Sequence, residues 1–112
     1  MTIICSAWNN GQHSASGAGY GLKVPIDERD RHFKKEWKSV TLELPSGDSY
    51  AEVSLNIDKP SFWSETCHEL INKEIGKWLL SSGFAPWPIG RPPKIALDVV
   101  SEARFRVTRS SS

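Results

Sequence analysis

The chain has 112 residues and a mass of 12.5 kDa, a length that predicts a single domain over residues 1–112 with a frayed tail at 110–112. Hydrophobic residues make up 38% and charged residues 24%, with a net charge of +1; this composition excludes a disordered chain, and the short apolar runs exclude a membrane-spanning helix. No basic segment precedes the apolar residues 2–7, so a secretory signal is not indicated and we expect a cytoplasmic protein.

The first part of the chain is predicted to hold two strands joined by a long polar loop. Residues 2–8 begin with two isoleucines and favour a strand. Residues 9–21 contain four glycines and follow neither a two-residue nor a 3.6-residue period, which indicates a loop. Residues 20–24 alternate between apolar and other side chains, and this pattern predicts a half-buried strand that Pro25 ends.

A short helix is predicted after this strand. Residues 26–37 are rich in charged side chains, and Asp27 is a suitable N-cap. Phe33 and Trp37 are four positions apart and would share one face of the helix.

Two alternating segments predict an antiparallel hairpin. Apolar and polar side chains alternate over residues 40–44 and again over residues 51–57. The intervening residues 45–48 read Pro-Ser-Gly-Asp, a composition typical of turns.

A long helix is predicted over residues 61–82. Its apolar residues recur at spacings of three and four, which predicts one wide apolar face. These residues are Trp63, Cys67, Leu70, Ile71, Ile75, Trp78 and Leu79. Ser61 or Ser64 could cap its start, and Gly83 would end it.

The C-terminal residues 84–107 are predicted to form an ordered loop followed by two strands. Residues 84–93 contain four prolines and cannot continue a helix, but Phe84, Trp87 and Ile89 should pack this loop against the core. Residues 95–99 and 103–107 read as strands. One helix cannot cover both faces of a flat sheet, so we predict an α+β fold: a curled, mostly antiparallel sheet forming a half-open (pseudo)barrel with one long and one short helix.

Catalytic and metal-binding patterns are not indicated. Adjacent helical residues point about 100° apart, so Cys67 and His68 would not face each other as a thiolate and its base. The three histidines lack metal-ligand spacing, and the glycines lack the lysine of a phosphate-binding loop. We therefore expect no enzyme, no metal and no cofactor. Cys5 and Cys67 are more typical of reduced buried thiols than of a disulfide.

The polar loop holds the candidate DNA-reading residues. Amide side chains can present a donor and an acceptor together to a base, and hydroxyl and imidazole groups can donate to bases or phosphates. The candidate base contacts are Asn9, Asn10, Gln12, His13, Ser14 and Ser16. The candidate phosphate contacts are Arg29, Arg31, Lys34, Lys35 and Arg91. The alternative is a flexible polar loop beside a solvated helix.

Two tryptophans border flexible-looking segments. Trp8 and Trp87 flank the glycine-rich and proline-rich loops, where they would either offer stacking surfaces or anchor those loops to the core. Exposed, they would instead form a surface for a protein partner.

The small net charge hides a segregation along the chain. Residues 1–38 carry a net charge of +2, residues 39–90 carry −4, and residues 91–112 carry +3. If the two ends meet in space, they would form a positive face on a nearly neutral protein. The sequence leaves open whether they meet.

The order of features resembles that of the DNA-binding pseudobarrel domain of plant transcription factors and of restriction endonuclease effector domains. The similar features are the Trp-Asn-Asn-Gly-Gln-His segment at 8–13, the tyrosine-containing strand 20–25, the charged turn 29–33, a hairpin, a helix and the Arg-Phe-Arg-Val strand 104–107. The resemblance implies a monomer that grips the DNA major groove with two arms.

In such an arrangement residues 9–16 would form the first arm, and either residues 46–49 or the loop at 87–91 would form the second. The sequence therefore predicts a non-catalytic module that reads a short duplex site through the Gly/Asn-rich loop and its basic flanks. The alternative is a protein-interaction module or small subunit with no nucleic-acid role. Membrane association is not expected, and the oligomeric state stays open.

Overall fold

The computed structural model describes residues 2–108, so the predicted frayed tail at 110–112 lies outside the described residues. Within that range the chain forms seven strands and two helices. Their bounds are β1 Thr2–Asn9, β2 Tyr20–Lys23, α1 Ile26–His32, β3 Ser39–Ser46, β4 Ser49–Asn56, β5 Glu69–Ile71, α2 Lys73–Ser81, β6 Lys94–Ser101 and β7 Arg104–Val107.

All seven strands belong to one curled sheet with the order β4-β3-β7-β6-β1-β2-β5. Neighbouring strands are antiparallel except β3 and β7, which are parallel. The edge strands β4 and β5 approach each other, although no ladder joins them within residues 2–108. The predicted α+β half-open barrel is therefore confirmed.

Alternation along the strands explains which face of the sheet is buried. In β1, Ile3, Cys5 and Ala7 point to the core, whereas Ile4 on the other face is half exposed. The inner face packs against α2 and against the core residues Phe33, Ile57 and Phe62 from the segments outside the sheet. The other face is more open, as antiparallel sheets allow.

The predicted hairpin is confirmed as β3 and β4, with a tighter turn than the composition indicated. Pro45 and Ser46 still pair with β4, and only Gly47 and Asp48 lie between the strands. Gly47 has φ +59°, which suits the first central position of a two-residue hairpin turn.

The predicted helix over 26–37 was wrong in its extent and its cap. α1 ends at His32, and Pro25 precedes it with no side-chain cap. Phe33 adopts an extended backbone and stacks on Phe105 at 4.5 Å between ring centroids, so core packing ends the helix there. Trp37 lies beyond the helix, and the shared helical face does not exist.

The predicted helix over 61–82 was also wrong, because only its second half is helical. Residues 61–68 form turns, and His68 has φ +40°, a value that no helix contains. Residues 69–71 form edge strand β5, which pairs with β2. Asn72 then caps α2, because its side-chain oxygen accepts a 2.8 Å hydrogen bond from the Glu74 amide.

A buried arginine holds the irregular turn in place. The Arg29 guanidinium donates to the carbonyl oxygens of Phe62 and Ser64 at 2.9 and 2.6 Å. The His68 amide donates to the Ser61 carbonyl, which closes the turn. These tertiary contacts satisfy backbone groups that a continuous helix would have paired internally.

The strand directions define two ends of the half-barrel. The first, here called the loop end, carries the β1–β2 loop (residues 10–19), the start of α2 and the proline loop (residues 82–93). The second, here called the helix end, carries α1, the segments 33–38 and 57–68, and the β6–β7 turn. Strand β2, four residues long, separates them by about 13 Å.

Candidate nucleic-acid interface

The β1–β2 loop is shaped by its own asparagines. The Asn9 side chain donates to the Gln12 and Gly19 carbonyls at 2.9 and 3.3 Å and accepts from the Gly11 amide at 2.8 Å. Asn10 accepts from the Gln12 amide at 3.1 Å through its side-chain oxygen. Both oxygens therefore fold the loop, which is an ordered turn and not a flexible tether.

Serines continue this pattern in the second half of the loop. The Ser14 and Ser16 hydroxyls are 2.9 Å apart, and the Ser16 hydroxyl also accepts from the Ala18 amide. Gly17 lies against α2 so closely that an added Cβ would meet the Lys73 carbonyl at 2.5 Å. The loop is thereby fixed to the first turn of α2.

An aromatic cluster joins the β1–β2 loop to the proline loop. The His13 Nδ1 and the Tyr20 hydroxyl are 2.6 Å apart, and the His13 and Trp87 rings meet edge to face at 4.8 Å. Burial raises the pKa of Tyr20, which is fully inaccessible. Trp87 is half-buried in this cluster, so it anchors its loop.

The other aromatic residues at the loop end differ in exposure. Phe84 packs on Trp78 as predicted for this loop, with ring centroids 5.4 Å apart. Ile89 was predicted to pack down as well, but it is fully exposed. Trp8 is half-buried and pairs with Gly21 across the sheet.

The candidate base contacts therefore divide into two groups. The first group, whose side-chain atoms build the loop, is Asn9, Asn10, Ser14 and Ser16. The Gln12 side chain is exposed and makes no hydrogen bond within residues 2–108, and the exposed His13 ring keeps Nε2 free of protein partners there. Gln12 and His13 are the groups left to face a ligand.

The candidate phosphate contacts are not gathered at one place. Arg29 is buried, and its guanidinium donates hydrogen bonds to two carbonyls and to Asp30. Its side chain therefore stabilises the fold and does not face a phosphate. Arg31, Lys34 and Lys35 are exposed at the helix end. Arg91 lies in the proline loop at the loop end.

The described C-terminal arginines do not join the N-terminal basic segment in one positive face. Arg104 donates to Glu43 and Glu52 at 2.7 and 2.9 Å, and Arg106 donates to Glu43. All four lie on the outer face of the sheet. The hydrogen bonds from Arg104 and then Arg106 lower the pKa of Glu43, which stays ionised beneath them.

Three further cations at the loop end were not predicted from the sequence to contact phosphates. Lys73 and Lys77 flank Gly17, and Lys94 lies beside Ser6 near the base of the proline loop. Of the acidic residues Glu65, Glu69 and Glu74 in the segment 61–82, only Glu74 is on α2. Asn72, followed by Lys-Glu, was the available signal that a new helix starts there.

The cations of the described residues also differ in whether a carboxylate lies close to them. Most lysines and arginines of residues 2–108 have a carboxylate within 4.0 Å, such as Lys77 with Glu74 at 3.3 Å. Those without one are Lys35, Lys59, Lys73, Arg91 and Lys94. The last three lie at or beside the loop end.

The two cysteines do not form a disulfide with each other. Cys5 and Cys67 are both free, and burial, followed by the charge of Glu28, raises the pKa of the Cys5 thiol to about 12. Cys67 is half-buried rather than in the core.

Within residues 2–108 no three His, Cys, Asp or Glu side chains are grouped to hold a metal ion. No helix in that range is long and apolar enough to cross a bilayer.

Comparisons with protein-family models, with curated proteins and with solved structures find no match to this chain.

Proposed function

We propose that the chain is a non-catalytic DNA-binding module that contacts duplex DNA with its loop end. Gln12 and His13 face the base edges, and Lys73, Arg91 and Lys94 contact the flanking phosphates. The observation that carries this proposal is the coincidence of three cations without carboxylate partners and an ordered loop with exposed polar groups. Unpaired cations can neutralise phosphates without first breaking an ion pair.

The shape of the loop supports a reading role. A loop that is already folded by Asn9, Asn10 and its serines loses little conformational entropy on binding. The Gln12 amide can donate and accept together, as adenine recognition in the major groove requires. The proline loop, joined to His13 through Trp87, would act as the second arm.

Duplex binding is tested by fluorescence anisotropy with a labelled mixed-sequence duplex at about 50 mM salt. We expect micromolar affinity that falls with salt at a slope of about −0.9 for each neutralised phosphate, or about −2.7 for three. The double variant Lys73→Gln, Arg91→Gln loses two phosphate contacts, so its salt slope should be shallower by about 0.9 for each of them. Gln12→Ala should change the preference among duplex sequences and leave the slope unchanged.

The matched control is Lys34→Gln with Lys38→Gln, which removes the same charge from the helix end. The control should bind the duplex within about twofold of the unmodified protein. Absence of micromolar binding, or equal loss in both double variants, would contradict a duplex interface at the loop end.

A protein-interaction role is the second candidate, and the exposure of Ile89 is the observation that favours it. Trp8 and Trp87 contribute less to it, because each is half-buried. Sedimentation at rising concentration compares the unmodified chain with Ile89→Ser. Assembly that Ile89→Ser abolishes, in a chain that binds no duplex, would favour this second function.

A further inference from the structure

A separate surface lies at the helix end, where an open cleft of about 310 Å³ is lined by Lys35, Asp58, Lys59, Pro60 and Trp63. The cleft belongs to the irregular segment between β4 and β5, which the sequence assigned in part to a helix. It is on the opposite side of β2 from the proposed duplex interface and shares no residue with it.

Trp63 provides the cleft with an aromatic surface in a fixed orientation. Its Nε1 donates a 2.9 Å hydrogen bond to the Ile57 carbonyl, and Phe62 packs edge to face against its ring at 5.1 Å. The buried Arg29 guanidinium lies 5.4 Å from the ring centroid. The indole is only half-buried, so part of a positioned ring stays open to a ligand.

The cations of the cleft lack compensating charge. Lys35 and Lys59 have no carboxylate partner within residues 2–108, and the Lys35 ammonium lies 5.7 Å from the Trp63 ring centroid. Asp58, the one acid of the lining, is paired with Lys38 at 3.2 Å. The cleft therefore combines a flat π-surface with two uncompensated ammonium groups.

We propose that the Trp63 cleft binds an unpaired nucleotide. The base stacks on the exposed part of the Trp63 indole and displaces the Lys35 ammonium from above the ring, and the phosphate lies between the Lys35 and Lys59 ammonium groups. Stacking on an aromatic side chain suits any base, because every base has a π-face. Bases inside a duplex are covered on both faces, so the ligand is a single strand or a free mononucleotide.

The test follows quenching of intrinsic tryptophan fluorescence with three ligands: oligo(dT) of about eight nucleotides, thymidine monophosphate and inorganic phosphate. The chain offers closely matched controls, because Lys34 lies over Trp37 at 5.9 Å much as Lys35 lies over Trp63. Lys35→Gln is compared with Lys34→Gln, and Trp63→Phe with Trp37→Phe. The Phe variants keep an aromatic ring at each position, and circular dichroism checks that each variant is folded.

We expect Lys35→Gln with Lys59→Gln to weaken nucleotide binding about tenfold, and Lys35→Gln alone to weaken it more than Lys34→Gln. Binding of thymidine monophosphate as tight as that of oligo(dT) identifies a free nucleotide as the ligand, whereas binding of oligo(dT) alone identifies a strand. The proposal fails if neither ligand binds at millimolar concentration, if inorganic phosphate binds equally well, or if the Lys34 and Lys35 variants behave alike. A duplex-binding defect at the loop end would leave every one of these results unchanged.

Discussion

Gly76 decides how the β1–β2 loop is attached to the barrel. It lies in α2, and an added Cβ would meet the Gly17 carbonyl oxygen at 2.0 Å. A helix interior normally favours alanine over glycine by about 1 kcal/mol. Here the backbone contact outweighs that preference, because neither the loop nor the helix can move without breaking its own hydrogen bonds.

We expect Gly76→Ala to lower the free energy of unfolding by about 1–3 kcal/mol, the usual cost of overpacking. Urea unfolding measures it, with Ser81→Ala at the exposed end of α2 as the control. Ser81→Ala should change the free energy of unfolding by less than about 0.5 kcal/mol. A stabilised Gly76→Ala variant would show that the contact between Gly17 and Gly76 does not fix the loop.

Single residues also mark the limit of what the sequence reveals about the site. The amides and hydroxyls of the β1–β2 loop were recognisable as hydrogen-bonding groups, but their internal pairing depends on the turn that brings Asn9 to Gly19. Arg29 looked like a solvated cation because its neighbours are charged. Its burial follows from the turn at Phe62 and Ser64, 33 and 35 residues away, which no local pattern encodes.

Among the elements, strands with alternating side chains were predictable, whereas the helices were predicted in number but not in extent. β3 and β4 followed from a two-residue period and a glycine turn, and β6 and β7 from short apolar runs. The segment 61–82 kept a helical spacing of apolar residues although it contains a turn, a strand and a helix. Apolar residues three or four apart can all reach one core without being helical, so spacing alone does not determine the backbone.

The parallel junction between β3 and β7 contains a carboxylate, Glu43, whose ionisation makes this junction sensitive to pH. It spans three residue pairs, and Glu43 accepts hydrogen bonds from Arg104 and Arg106 across it. These two arginines lower the folded-state pKa of Glu43 below its unfolded value of about 4.3. The ionised carboxylate therefore stabilises the fold above that value, and the contribution is lost as the pH falls through the folded pKa.

Glu43→Gln removes this dependence and leaves the strand pairing intact. Compared at pH 7 and at about pH 3, the unmodified chain should lose more of its free energy of unfolding than Glu43→Gln does. Urea titrations at both pH values measure the difference. Glu52→Gln is the control, because Glu52 is exposed and bonds to Arg104 alone. Equal pH dependence in the unmodified chain and Glu43→Gln would contradict the lowered pKa of Glu43.

For the whole molecule, both ends of the half-barrel carry cations that have no carboxylate partner within residues 2–108. Carboxylate pairing neutralises the outer sheet face and much of α1, and the cations that remain unpaired in the described chain fall at the loop end and in the Trp63 cleft. A net charge of +1 thus conceals two local positive surfaces. The charge blocks along the sequence did not predict them, because ion pairs between blocks, such as Arg104 with Glu43, cancel charges that the blocks count separately.

The two ends should also be energetically independent although they share one core. Gly76→Ala perturbs the loop end, and Arg29→Met perturbs the helix end by leaving the Phe62 and Ser64 carbonyls without their donor, at a cost of about 1–3 kcal/mol. Gly76 contacts Gly17, whereas Arg29 bonds to Phe62 and Ser64, and effects at separate sites usually add within about 0.5 kcal/mol. The double variant should therefore lose the sum of the two single losses in urea unfolding, with an unchanged m value. A coupling above about 1 kcal/mol would mean that the sheet transmits strain from one end to the other.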